Sequence, residues 1–165
     1  MDNLALSQGG NIALASGALA NGTTAGTIKT TVVVPYLNDG QFYSKAITDN
    51  IAIAYTAAAT VYGQPSNGSF TGGANGSTRL YGLYLDTSGN VTLECGPIVD
   101  TVALAAGSAA LHFPPNKRGL TVFGAVRIAV TSGTTFIPGT TALGAAGVTT
   151  TYLNLGTMPG EPLRS

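Results

Sequence analysis

At 165 residues the chain fits one domain with an appendage, and two full domains are not expected. Seven basic against seven acidic residues give a formal net charge of +0, which removes the electrostatic footprint that a phosphate backbone or an anionic membrane would need. Only 8% of residues are charged, against about a quarter in an ordinary soluble domain, so the exterior falls to Thr, Ser, Asn and backbone and suits a molecule pressed against its own copies or a larger assembly.

The opening Met1-Asp2-Asn3-Leu4-Ala5-Leu6-Ser7 has no basic region leading into a continuous apolar core, so no secretory signal is read and synthesis in a cytoplasm is expected. Residues 1–28 scatter Leu4, Leu6, Ile12, Leu14 and Leu19 among five glycines at no sustained period, with one charged side chain. Glycine raises the cost of ordering such a segment alone, and nothing in it repels a partner. The reading is an extended N-terminal arm whose five apolar residues bind a neighbouring subunit.

The body is read over residues 29–156. Thr30-Thr31-Val32-Val33-Val34 is a β-branched run ended by Pro35, followed by a turn at Asn38-Asp39-Gly40. Residues 42–48 and 50–62 continue as strand, Ile51, Ile53 and Tyr55 alternating with Ala52, Ala54 and Thr56, although the alanines at 57–59 also fit a short helix. Residues 63–77 are dense in Gly, Asn and Ser and read as a long surface loop broken only by Phe70. The strongest hairpin joins residues 78–85 to 91–95 through Asp86-Thr87-Ser88-Gly89-Asn90, with Val91, Leu93 and Cys95 facing inward. Residues 97–110 are apolar and small, and a rigid turn runs from His112 to Gly119. In the strand that follows, Leu120, Val122, Gly124, Val126, Ile128 and Val130 share one face, and Thr121, Phe123, Ala125, Arg127 and Ala129 the other. A linker over 132–147 and a strand over 148–155 complete the body, and residues 157–165 form a proline-broken tail. Seven or eight short strands with turn-rich connections predict an all-β fold, an antiparallel β-sandwich or jelly-roll-like barrel. No apolar stretch approaches the length of a membrane helix, and no membrane is expected.

Chemistry-bearing residues are few. His112 is the single histidine, set between Leu111 and Phe113 before two prolines, and reads as a turn residue. Cys95, the one cysteine, excludes an intrachain disulfide and is buried by its alternation, away from the exposure a reactive thiolate needs. Asp86, Ser88 and Asn90 have the opening spacing of a calcium loop, but Val91 stands where that loop needs glycine and Pro97 where it needs glutamate. The glycines over 68–76 have no following lysine and no strand-to-helix setting, so they do not read as a phosphate cradle. Sequons such as Asn75-Gly76-Ser77 read as turns. Tyr81, Tyr84, Phe42, Tyr43, Tyr55 and Tyr62 are assigned first to core packing, then to self-association, and last to stacking on sugars. No catalytic residue, metal ligand or cofactor is expected.

At Tyr81-Gly82-Leu83-Tyr84-Leu85-Asp86-Thr87-Ser88-Gly89-Asn90-Val91-Thr92-Leu93, and at Phe136-Ile137-Pro138-Gly139-Thr140-Thr141-Ala142-Leu143 through Val148-Thr149-Thr150-Thr151-Tyr152, the chain resembles virion structural proteins of tailed bacteriophages. Small β-rich capsid decoration or cement proteins are the nearest likeness, with head fibres beside them. The resemblance implies a non-enzymatic virion component, made in the infected cytoplasm and added to the capsid surface as a homo-oligomer, often a trimer. Its implied partners are copies of itself and the major capsid protein. The alternative is a head or tail fibre subunit whose loop at 63–77 touches a host glycan.

Overall fold

The structure is a computed structural model and describes residues 10–53, 68–114 and 119–155. Twelve strands are found among these residues. In chain order they are β1 (Ile12–Ala13), β2 (Leu19–Asn21), β3 (Thr27–Thr30), β4 (Val34–Asn38), β5 (Gln41–Lys45), β6 (Ile51–Ala52), β7 (Phe70–Thr71), β8 (Ser77–Leu85), β9 (Val91–Asp100), β10 (Thr121–Val130), β11 (Thr135–Phe136) and β12 (Val148–Asn154). A short helix, α1 (Thr101–Ala105), follows β9 and is capped by the Asp100 carboxylate accepting from the Ala103 amide.

The predicted hairpin is the centre of the molecule. β8 and β9 join β10 and β12 in an antiparallel sheet of order β12-β10-β8-β9. The Asp86 carboxylate accepts from the backbone amides of Ser88 and Asn90 and from the Asn90 side chain, closing the connecting turn on itself. Every residue of β8 is buried, because both faces of this sheet are covered. On one face Tyr81, Leu83 and Leu85 join Leu93, Cys95, Val126, Ile128 and Val130 in the main core. On the other, Leu80 and Ala125 pack with Leu104 of α1 and Leu111.

Two three-stranded sheets, β1-β4-β5 and β2-β3-β6, form the second layer over the main core, and β7 pairs with β11 at its end. β1 and β4 lie against β10, and β2 against β12. The all-β, sandwich-like expectation holds, and the sheets do not close into a barrel.

Several expectations change. Residues 10–28 are not free of the body: β1 pairs with β4 and β2 with β3, and the Leu19 amide donates to the Asn154 side chain at 2.7 Å. Ala13 and Leu19 find apolar partners within their own chain, which offsets the ordering cost of the neighbouring glycines. The loop at 63–77 is described only from Gly68, and there Phe70 is buried against Phe136 and Tyr81 while Gly68 and Gly72 are buried too. The linker over 132–147 contributes β11. In β10 the simple alternation fails at a bulge between Val122 and Gly124, which leaves Phe123 as an extra residue and turns it into the main core beside Val126. The possible helix at 57–59, Tyr55, Tyr62 and the tail at 157–165 lie outside the described residues.

Candidate interaction surface

The β4–β5 hairpin turns through Asp39 and Gly40, whose φ values of 49° and 77° are the pair of positive angles a type I′ turn requires. That turn sets the register: Asn38 opposite Gln41, Leu37 opposite Phe42, Tyr36 opposite Tyr43, Pro35 opposite Ser44 and Val34 opposite Lys45. On the other side of β4, Ile12 is opposite Leu37 and Ala13 opposite Tyr36. Opposed residues of antiparallel strands share a face. One row, Ala13-Tyr36-Tyr43, therefore points into the core, where the Tyr36 and Tyr43 rings stack at 5.6 Å and the Tyr36 hydroxyl donates to the Asp86 carbonyl at 2.7 Å. Burial, the nearby Asp86 carboxylate and Tyr43 raise the Tyr36 pKa.

The next row, Ile12-Leu37-Phe42, points outward, and a parallel outward row holds Leu14, Pro35 and Ser44, the Leu14 amide donating to the Pro35 carbonyl at 2.9 Å. None of these six side chains is charged. Phe42 is 64% exposed and Leu14 53%. Val32 and Val33, just before β4, and Ile47, just after β5, are also exposed at the end of the sheet marked by the Val34–Lys45 pair. Among the described residues, five of the six strongly exposed large apolar side chains thus belong to this sheet or its immediate flanks; the sixth, Val102, is on α1. Exposed apolar side chains concentrated in this way make the face the candidate interaction surface.

Of the arm residues assigned to partner binding, Ile12 and Leu14 lie on this face, Leu19 is buried in its own core, and Leu4 and Leu6 lie outside the described residues. Leu37 was missed as a member of the face, and Phe42, assigned first to core packing and only then to self-association, stands exposed on it instead of in the core. Their signal was present, because an Asp-Gly turn fixes which residues of the two flanking strands meet.

The remaining candidates sit apart. His112 is exposed, and its carbonyl lies where a side chain on Gly96 would be. The Cys95 thiol is buried on the inward face, and burial pushes its pKa up to about 11. The Asp86 carboxylate is occupied by its own turn, and no cluster of metal-ligating side chains occurs among the described residues. A surface recess of about 380 Å³ beside α1 is lined by Asn75, Thr101, Thr131, Ser132 and Thr149 and holds no ionisable side chain. No described helix is long and apolar enough to cross a membrane.

No family model, no curated protein and no solved structure matches this chain.

Proposed function

We propose that the chain is a non-enzymatic structural subunit of a tailed-phage virion that decorates or cements the capsid surface. It bridges neighbouring subunits of the major capsid protein and associates with copies of itself. The observation that carries this reading is the uncharged outward face of β1-β4-β5, built on an exterior with few charges to desolvate. The phage setting comes from the resemblance of residues 81–93 and 136–152 to decoration proteins. Docking a face of this type in a standard-size interface removes about 1,600 Å² from water, tens of kcal/mol gross before entropy and polar desolvation reduce it. Many modest contacts then act together over a shell.

Immunogold labelling of purified particles of the phage that encodes the chain provides the test. Gold should decorate the head, and a Leu14→Asp, Leu37→Asp variant that folds normally should lose most of that label. Particles without label, or a variant retained at the wild-type level, would overturn the reading.

A further inference from the structure

The turn at Asn75-Gly76 carries a chemistry of its own. An asparagine followed by glycine cyclises readily, because glycine has no side chain to shield its backbone nitrogen from the asparagine amide carbon, and asparagine is counted among the heat-labile residues. Two such pairs lie wholly among the described residues, Asn21-Gly22 and Asn75-Gly76; Asn67 of the third lies outside them. In both pairs the attacking nitrogen is held. The Gly22 N–H donates to the Thr27 carbonyl and the Gly76 N–H to the Gly73 carbonyl, each at 2.9 Å. What differs is how much must open to free it. Asn21 is paired with Ile28 in the β2–β3 hairpin, and its side-chain oxygen accepts from the Tyr152 hydroxyl. The loop beyond is clasped by the Asp49 carboxylate, which accepts from the Thr23 amide and hydroxyl, and by the Asn50 side chain, which accepts from the Thr24 amide. Asn75, by contrast, is exposed in the short turn from Gly73 to Gly76, which that one backbone bond closes, and it lines the surface recess beside α1. Its side chain donates to the Asp100 carboxylate at 3.0 Å. Opening a single exposed turn costs far less than opening a clasped hairpin.

We propose that Asn75 is a site of spontaneous deamidation, gated by the Gly73–Gly76 turn, and that its product unties the segment before β8 from the cap of α1. The Gly76 nitrogen bonds to the Asn75 side-chain carbonyl carbon as the bond from that carbon to the amide nitrogen breaks. The Gly76 proton leaves with that nitrogen as ammonia. Water then opens the succinimide ring at either carbonyl, giving aspartate or isoaspartate, and nothing is oxidised or reduced. Either product replaces the donor facing Asp100 with a second carboxylate. The Asp100 oxygen that accepts from Ala103 keeps its bond, the other loses its partner, and like charges repel across the former contact. Isoaspartate also lengthens the main chain by a carbon next to Gly76. A Cβ on Gly76 would already stand 2.7 Å from the Val130 carbonyl oxygen, so the longer turn must shift to be accommodated.

Peptide mapping by mass spectrometry of the full chain, incubated at mildly alkaline pH both folded and in urea, tests this. In the folded chain Asn75 should lose its amide about tenfold faster than Asn21, whereas in urea, with both gates open, the two rates should converge. Asp49→Ala removes the clasp on Thr23 and should raise the Asn21 rate while leaving that of Asn75 unchanged. Asn75→Asp, which makes one product directly, should speed hydrogen exchange at the Thr101 amide, the donor to the Gly76 carbonyl. Asn75→Gln keeps an amide donor without the fast cyclisation and should leave that exchange as it is. Equal rates at the two asparagines in the folded chain, an Asn75 that keeps its amide there while losing it in urea, or an Asn21 rate that Asp49→Ala does not move would each overturn the gating. Unchanged Thr101 exchange in Asn75→Asp would overturn the untying.

Discussion

Arg79 and Tyr81, two residues apart on β8, both donate to the carbonyl oxygen of Gly68, at 3.0 and 2.7 Å. The Arg79 side chain is fully buried, its Nε donates to the Gly96 carbonyl at 2.8 Å, and its guanidinium carbon lies 5.6 Å from the centre of the Tyr81 ring. A buried cation is tolerated where carbonyl dipoles and an aromatic face replace its water. Arg79→Met should cost about 3 kcal/mol, since it leaves buried carbonyls without donors, and Tyr81→Phe about 1 kcal/mol. Because the two side chains share an acceptor, urea titrations of the double variant should show a loss smaller than the sum. Strict additivity would show that the shared carbonyl does not couple them.

Alkaline conditions should loosen the fold. The Cys95 thiol has an ordinary pKa of 9.0 and a folded value pushed up to about 11 by burial. Between those values the folded protein holds a proton that the unfolded chain has released, so stability falls as pH rises through that window. Burial raises the Tyr81 and Tyr84 hydroxyls as well, which extends the loss in the same direction. Thermal melts should show a falling midpoint above pH 9, and a thiol reagent should label Cys95 only on unfolding. A midpoint that climbs with pH in this range would contradict the burial.

Acid should act on the hairpin turn. Burial opposes ionisation of Asp86, yet hydrogen bonds from Asn90, Ser88 and Gly89 prevail and hold its pKa below the ordinary 3.8. A lowered folded pKa contributes stability above the unfolded value, and that contribution disappears as pH falls through the folded one. Asp86→Ala should therefore flatten the acid limb of the stability profile and lower stability at neutral pH by about 1–2 kcal/mol. Denaturant midpoints across pH 2 to 6 would check it, and an unchanged acid limb in the variant would refute it.

The bulge in β10 separates two neighbours by environment. Phe123 is completely buried in the main core, whereas Val122 lies opposite Tyr84 on the other side of the sheet. Phe123→Ala should cost about 3–5 kcal/mol through the cavity it leaves. Val122→Ala should cost clearly less in the same denaturation assay. Equal losses would indicate regular alternation through residue 123.

Two glycines should fail for different reasons. A Cβ on Gly96 would stand 2.5 Å from the His112 carbonyl oxygen, so Gly96→Ala should cost about 1–3 kcal/mol through a clash with backbone. A Cβ on Gly40 meets nothing within 4 Å, but φ there is 77°, so Gly40→Ala should cost about 1 kcal/mol in strain alone. Gly40→Asn, better suited to positive φ, should recover part of that loss, whereas no side chain should rescue Gly96. Chemical denaturation of the three variants distinguishes the two causes.

Local chemistry decided much of this protein before any long-range contact formed. Asp39-Gly40 and the Asp86 to Asn90 segment specify their turns through positive φ and side-chain caps, and the period of two from Val91 to Cys95 specifies a strand with Cys95 inward. Scarce charge likewise belongs to composition alone. Periodicity states that a strand has two faces, but which face is covered depends on residues far away in the chain. Thus β8 is buried on both sides because the main core lies over one face and Leu104 of α1 with Leu111 over the other, Arg79 is inside because distant carbonyls receive it, and residues 12–21 join their own body because β3 and β4 offer pairing edges. Phe123 exchanges faces because one residue too many must fit opposite β8. The outward row of Ile12, Leu37 and Phe42 is the joint product: turn chemistry set its register, and only the packed tertiary structure left it uncovered.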